Sequence, residues 1–112
     1  MELEPSDFNG QELKREETLA VLFLASWCPF CMRFRPAFET AARATGVQWA
    51  SADLSDDDNA LWSSFKIDVV PTAVVFKHGK AVFRKDGVLG RGLSAEAIKE
   101  IIDQTKLANE GS

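Results

Sequence analysis

Val21-Leu22-Phe23-Leu24-Ala25-Ser26-Trp27-Cys28-Pro29-Phe30-Cys31 is the stretch on which the reading of this chain turns. Its first half belongs to an unbroken apolar run, Leu19–Ala25, with no polar alternation. A run of that kind and length reads as a strand buried on both faces, as in a parallel sheet covered by helices. Its second half holds both cysteines of the sequence, two residues apart. A helical pattern follows over residues 29–45, with Phe30, Phe34, Ala37, Phe38, Ala41 and Ala42 recurring at helical spacing. Pro29 suits the first helical position, where its missing N–H would have no partner anyway. Gly46 stops the helix, and Pro36 inside it removes one backbone hydrogen bond and predicts a kink. A strand that delivers a Cys-x-x-Cys pair to the first turn of a helix is the arrangement of a dithiol redox site.

That placement divides labour between the two thiols. The thiolate is the reactive form, and the unpaired N–H groups and positive dipole end at a helix start favour it at Cys28. Cys31, one turn further in, lacks that exposure and is expected to stay protonated. Cys28 is therefore the candidate nucleophile and Cys31 the candidate resolving cysteine. Cys28 attacks a substrate disulfide, and Cys31 then attacks Cys28 and releases the reduced substrate.

Composition bounds the alternatives. The 112 residues are 46% hydrophobic and 27% charged, which fits one globular domain over 1–112 with flexible ends at 1–5 and 109–112. A net charge of −4 with scattered Lys and Arg gives no basis for nucleic-acid or anionic-membrane binding. No apolar run approaches the roughly 18 to 20 residues that cross a bilayer. Met1-Glu2-Leu3-Glu4-Pro5 is acidic and polar rather than a secretory signal, so a chain that starts there is expected in the cytoplasm. Two cysteines are too few for a disulfide scaffold, and with the lone histidine, His78, they do not fill a closed zinc site. No metal and no cofactor is expected.

Outward from the central stretch, the other elements follow. Glu2–Glu4 is a short candidate strand, and Ser6 or Asp7 caps a short helix over Phe8–Arg15. Val47–Ala52 is a second buried strand. Ser55-Asp56-Asp57-Asp58 reads as an N-cap serine with three carboxylates in the first turn of a helix running through Leu61, Trp62 and Phe65, in preference to a cation site. Ala73–Lys77 and Ala81–Lys85 are strands joined by His78-Gly79, a tight hairpin whose tip puts His78 in solvent. Gly87, Gly90 and Gly92 lead to Ser94, the cap of a last helix with Ile98, Ile101, Ile102 and Thr105 on one face and a Leu93–Ile98 staple. The residues Arg33 and Arg35 read as a solvated helix face, with thiolate stabilisation or substrate choice as the sharper alternative. The result is an α/β fold: a central mixed sheet of four to five strands flanked by helices on both faces.

These marks together resemble the thioredoxin superfamily over roughly residues 6–108. Trp27-Cys28-x-x-Cys31, Pro36, Val70-Pro71-Thr72, Phe76-Lys77-x-Gly79 and Gly87 carry the resemblance. It implies the thioredoxin fold, a cis bond before Pro71, and a site shaped by Trp27, Pro29, Phe30, Val70 and Pro71, with Trp27 packed beside the sulfurs. It implies a thiol–disulfide oxidoreductase that reduces disulfide-containing proteins as a monomer. Its electrons would come from a thioredoxin-reductase-like flavoprotein or a glutathione system. A disulfide oxidase or isomerase, a glutaredoxin-like reductase and a redox-inactive binding module are the alternatives. Two departures stand out: Pro29-Phe30 replaces the usual Gly-Pro, and Leu22 stands where the family buries an aspartate, with Ser51 near the position of its partner lysine. Asp53 is the nearest acidic candidate in sequence for the missing proton acceptor.

Overall fold

The computed structural model describes residues 1–110. In chain order the elements are strands β1 (Glu2–Leu3), β2 (Phe8–Asn9), β3 (Glu12–Leu13) and β4 (Leu19–Leu24), helix α1 (Pro29–Thr45), strand β5 (Trp49–Asp53), helix α2 (Leu61–Ser64), strands β6 (Thr72–Lys77) and β7 (Lys80–Asp86), and helix α3 (Ala95–Glu110). The principal sheet has the order β1-β5-β4-β6-β7. β5 runs parallel to β4 and to β1, while β6 is antiparallel to β4 and β7 antiparallel to β6. This is the mixed five-stranded α/β sheet expected from the alternation of elements.

β4 lies in the middle, and all its residues are buried, as its unalternating sequence requires. Each fully buried Leu, Val or Phe there contributes about 1.5–3 kcal/mol relative to exposure. Phe23 points into an aromatic cluster with Phe8, Phe65 and Phe76. α3 packs against α1 and against β4, β6 and β7. The sheet is thus covered by α1 and α3 on one face, and by the β2–β3 hairpin and α2 on the other.

The N-terminal segment corrects the expected helix over 8–15. Phe8 pairs with Leu13 and Asn9 with Glu12 in a separate two-stranded hairpin, preceded by a single 3-10 turn at Pro5–Asp7. The reason is the turn chemistry: Gly10 takes φ +61 at the first position of a two-residue loop. Phe8 and Leu13 are buried, so they reach the core from a hairpin instead of a helix face. The Leu13 N–H donates to the Gly79 carbonyl at 2.8 Å, which ties this hairpin to the β6–β7 turn. There His78 (φ +52) and Gly79 (φ +80) form the predicted tight turn, with His78 exposed.

The acidic stretch is the second correction. No helix starts at Ser55; α2 is a single turn beginning at Leu61. Asp53 accepts the Ser55 N–H at 2.9 Å, Asp56 the Asp58 N–H at 2.8 Å, and Asn59 the Leu61 N–H at 2.8 Å. These short polar side chains bond to backbone two residues ahead and outcompete helical hydrogen bonding. No group of side chains among the described residues could hold a metal ion.

α1 begins at Pro29 and ends at Gly46, whose φ of +76 gives the left-handed cap. Of its predicted apolar face, Phe34, Phe38 and Ala42 are buried, while Phe30 and Ala41 are half-buried and Ala37 is exposed. β5 starts at Trp49 instead of Val47. Ile98, Ile101, Ile102 and Thr105 of α3 are buried as expected. Glu2–Leu3, within the predicted flexible N-terminus, pairs with β5, and α3 reaches Glu110; residues 111–112 of the predicted tail lie outside the described residues. No helix among the described residues is long and apolar enough to cross a membrane.

Candidate active site

β4 ends at Leu24, and four residues later Cys28 is the N-cap of α1. Its backbone is extended (φ −98°, ψ 109°), and its sulfur accepts the N–H of Cys31 at 3.2 Å. The cysteine thus occupies the place usually taken by a Ser or Asp side chain, satisfying one of the helix's free N–H groups. A donor of that kind stabilises negative charge on the sulfur. On its other side, the Cys28 thiol donates to the Val70 carbonyl at 3.5 Å.

Cys31 is also a free thiol, 3% exposed, on the inner face of α1. Burial, reinforced by the hydrogen bond and the charge of Cys28, pushes its pKa from 9.0 up to about 12. Desolvation penalises the thiolate, and a second sulfur close by penalises it further. The raised Cys31 thiol agrees with the expectation that it stays protonated.

The Val70–Pro71 bond is cis, as the family resemblance implied. Gly87 lies directly against it: a Cβ there would fall 2.3 Å from the Pro71 carbonyl oxygen. Pro71 itself is buried, as is Val70. Pro29 is exposed at the first position of α1, and Phe30 is half-buried against Gly92. The Arg33 guanidinium lies 5.4 Å from the Phe30 ring centroid. The Arg35 guanidinium instead lies 5.6 Å from the Trp49 ring centroid.

Trp27 is 57% exposed. It lines a groove of about 230 Å³ with Cys28, Phe30, Val70 and two residues that the sequence did not single out for the site, Trp62 and Leu89. Its indole N–H donates to the Ser55 carbonyl at 3.1 Å, and its ring stacks on Trp62 at 6.4 Å with an interplanar angle of 5°. Trp62 is held in turn by its own N–H, shared between the Leu54 and Asp56 carbonyls at 3.2 Å each. Trp62 has the apolar spacing of a core residue, so nothing in its sequence context marks it as part of the groove. Leu89 stands on a glycine-flanked loop, which was the one available signal.

Leu22 is fully buried in β4, opposite Ser51 of β5 and Ala73 of β6, so no carboxylate lies at that point of the core. On the inner side of the site is a second cavity, of about 210 Å³, which Cys31 lines together with Asp53, Arg35 and Glu2. His78 is at the hairpin tip beside Glu16, 3.3 Å away, and lines neither cavity.

The thioredoxin family model matches residues 1–104. This chain belongs to the thioredoxin family. Among its relatives, it is 32% identical to a thioredoxin of Rhodospirillum rubrum over 85 residues, 75% of this chain and 82% of that protein. It is 27% identical to a thioredoxin-like protein of Synechocystis over 104 residues, 92% of this chain and 95% of the other. The chloroplastic thioredoxin X of Arabidopsis thaliana is 27% identical over 110 residues, 96% of this chain, which spans 60% of that protein's length. Among solved structures, Chlamydomonas reinhardtii thioredoxin f2 superposes with a TM-score of 0.73 at 19% identity, covering 93% of this chain and 94% of its own. That likeness carries the thioredoxin fold. Family membership and the Cys28–Cys31 pair together make the protein a thiol–disulfide oxidoreductase in general terms.

Proposed function

We propose that this thioredoxin-family protein reduces disulfides of other proteins, with Cys28 as nucleophile and Cys31 as resolving thiol. The observation that carries the reading is the asymmetry of the two sulfurs: Cys28 accepts a helix N-terminal N–H, while burial pushes Cys31 up to about 12. In the first step the Cys28 thiolate attacks one sulfur of the substrate disulfide. A Cys28–substrate disulfide forms, the substrate S–S bond breaks, and the other substrate sulfur leaves as a thiolate. In the second step Cys31 loses its proton and attacks Cys28. The Cys28–Cys31 disulfide forms, and the second substrate sulfur leaves and is protonated. The substrate gains two electrons and the protein dithiol loses two.

Substrate binding falls to the groove. Trp27 and Phe30 offer apolar surface on either side of Cys28, and the Val70 backbone, now bonded to the Cys28 thiol, is in reach of an extended peptide. Pro29 lines the groove without an N–H to donate, and the buried Pro71 fixes the Val70 backbone beside it through the cis bond. A flavoprotein of the thioredoxin-reductase kind or a glutathione-linked system restores the dithiol, and the working site is a reducing compartment such as the cytoplasm, where the protein acts as a monomer.

Reduction of insulin with dithiothreitol as electron source tests this. The wild-type protein should accelerate insulin precipitation and Cys28→Ser should not. Cys31→Ser should accumulate mixed disulfides through Cys28, whose partners can be identified directly. Equal activity of wild type and Cys28→Ser would refute the assigned nucleophile.

A further inference from the structure

Resolution of the mixed disulfide leaves one proton without an evident destination. Cys31 must ionise to attack, yet it is buried with a thiol pushed up to about 12, and Leu22 puts no acid in the core behind it. The cavity of about 210 Å³ that touches Cys31 has room for several water molecules. Its charged groups are Asp53 at the end of β5, Glu2 on the edge strand β1, and Arg35 on α1; Cys28 faces Cys31 from the helix start.

Asp53 and Glu2 differ in how they are held. Asp53 Oδ1 accepts both the N–H of Ser55 at 2.9 Å and the Ser55 hydroxyl. The Ser55 Oγ in turn accepts the N–H of Ser26 at 2.7 Å, and the Ser55 carbonyl accepts the indole of Trp27. The carboxylate is thus fastened to the loop that carries Cys28, leaving Oδ2 without a protein donor among the described residues. Both residues are exposed, but Glu2, at the start of a two-residue edge strand, has no such tie to this loop.

We propose that Asp53 takes the proton of Cys31 through water in this cavity during resolution, replacing from strand β5 the acid that β4 lacks. The inference rests on the proposed division of roles between Cys28 and Cys31. The step balances: the Cys31 S–H proton passes to water as that water passes one to the Asp53 carboxylate, the Cys31 thiolate bonds to Cys28, and the Cys28–substrate bond breaks with its electron pair on the leaving sulfur. Asp53 then returns its proton to solvent.

The test uses the reduced full chain and a chromogenic aromatic disulfide, so that no protein substrate is needed. The first coloured thiolate reports attack by Cys28, and the second reports attack by Cys31 on the mixed disulfide. Asp53→Asn preserves the Oδ1 acceptor for Ser55 and removes only the base. The second phase should slow by roughly a hundredfold at neutral pH, the low end of general-base effects, while the first phase stays unchanged. The slowed phase should then rise in proportion to hydroxide, and Asp53→Glu should restore much of the rate. Glu2→Gln should leave both phases as they are. The proposal is overturned if Asp53→Asn resolves at the wild-type rate across pH, if it slows both phases equally, or if Glu2→Gln causes the loss instead. Failure of wild-type protein to reduce insulin would overturn the reductase reading separately, since the two phases are read without it.

Discussion

Phe30 fills the space in front of Gly92: a Cβ placed on Gly92 would lie 2.7 Å from the Phe30 Cβ. The second of the two residues between the cysteines is therefore braced by the loop that joins β7 to α3. Gly92 also has φ +71, a conformation that L side chains rarely adopt. Gly92→Ala should destabilise the protein by about 2–3 kcal/mol, because backbone strain and overpacking add. Gly46→Ala, at φ +76 with nothing within 4 Å, should cost only the conformational part, about 1 kcal/mol. Denaturant melts of the two variants make the comparison; equal costs would mean that the contact with Phe30 yields without resistance.

The Trp27–Trp62 stack predicts a separation between reactivity and recognition. Trp62→Ala removes the surface that holds the Trp27 ring, leaving the Cys28 and Cys31 contacts untouched. An aromatic pair of this kind is worth about 0.5–1.5 kcal/mol beyond its buried area. The rate of insulin reduction should fall by about threefold to tenfold, the kinetic equivalent of that energy. The rate of Cys28 with a small disulfide should hold. Parallel loss of both rates would show that Trp62 acts through the fold of the Cys28 loop.

The raised Cys31 thiol predicts how stability changes with pH. Its folded-state value of about 12 lies above its ordinary value of 9.0, so the native reduced protein keeps a proton that the unfolded chain gives up. Its contribution is fully present below about pH 9 and is lost as pH rises toward about 12. The loss can reach about 1.4 kcal/mol per pH unit from this one group. The oxidised protein and Cys31→Ser have no such thiol and should lose less stability over the same range. The chain has no tyrosine, so thiolate absorbance in this range is free of tyrosinate. Identical alkaline stability profiles for the reduced and oxidised forms would contradict the assignment.

The sheet and the catalytic helix were legible because their signals are local. An unbroken apolar run over residues 19–25, a Pro at the helix start, a Gly at its end and a two-residue hairpin turn each depend on neighbours in sequence. The Phe8–Arg15 segment was misread because Phe8 and Leu13 fit either a helix face or a hairpin pair, and the two-residue turn Gly10-Gln11 decides between them. The Asp56–Asp58 run was misread because its carboxylates cap backbone N–H groups within loops as readily as at a helix start. At the site, the places of Cys28 at the helix cap and Cys31 in its first turn could be read from the sequence alone. The stacking of Trp62 on Trp27 and the fastening of Asp53 through Ser55 to Ser26 could not, since they join residues some 30 positions apart.

The direction of electron flow rests on the reduction potential, and Leu22 bears on it. A carboxylate buried behind the dithiol would repel the Cys28 thiolate and so destabilise the reduced form. At position 22 this chain has an apolar side chain with no exposure, while the Cys28 sulfur keeps its N–H donor from Cys31. The more stable the reduced form, the stronger the oxidant, so the potential should lie above the value of about −270 mV typical of thioredoxin. Each increase of about 30 mV corresponds to about 1.4 kcal/mol of relative stabilisation of the dithiol. Leu22→Asp supplies the matching test. It should lower the potential, and it should also cost several kcal/mol of stability, because the new charge would be buried between Ser51 and Ala73 with no basic partner. Titration of both proteins against a glutathione or dithiothreitol couple, with intrinsic tryptophan fluorescence as readout, measures the difference. A wild-type potential at or below about −270 mV would remove Leu22 and the Pro29-Phe30 pair as a source of oxidising character.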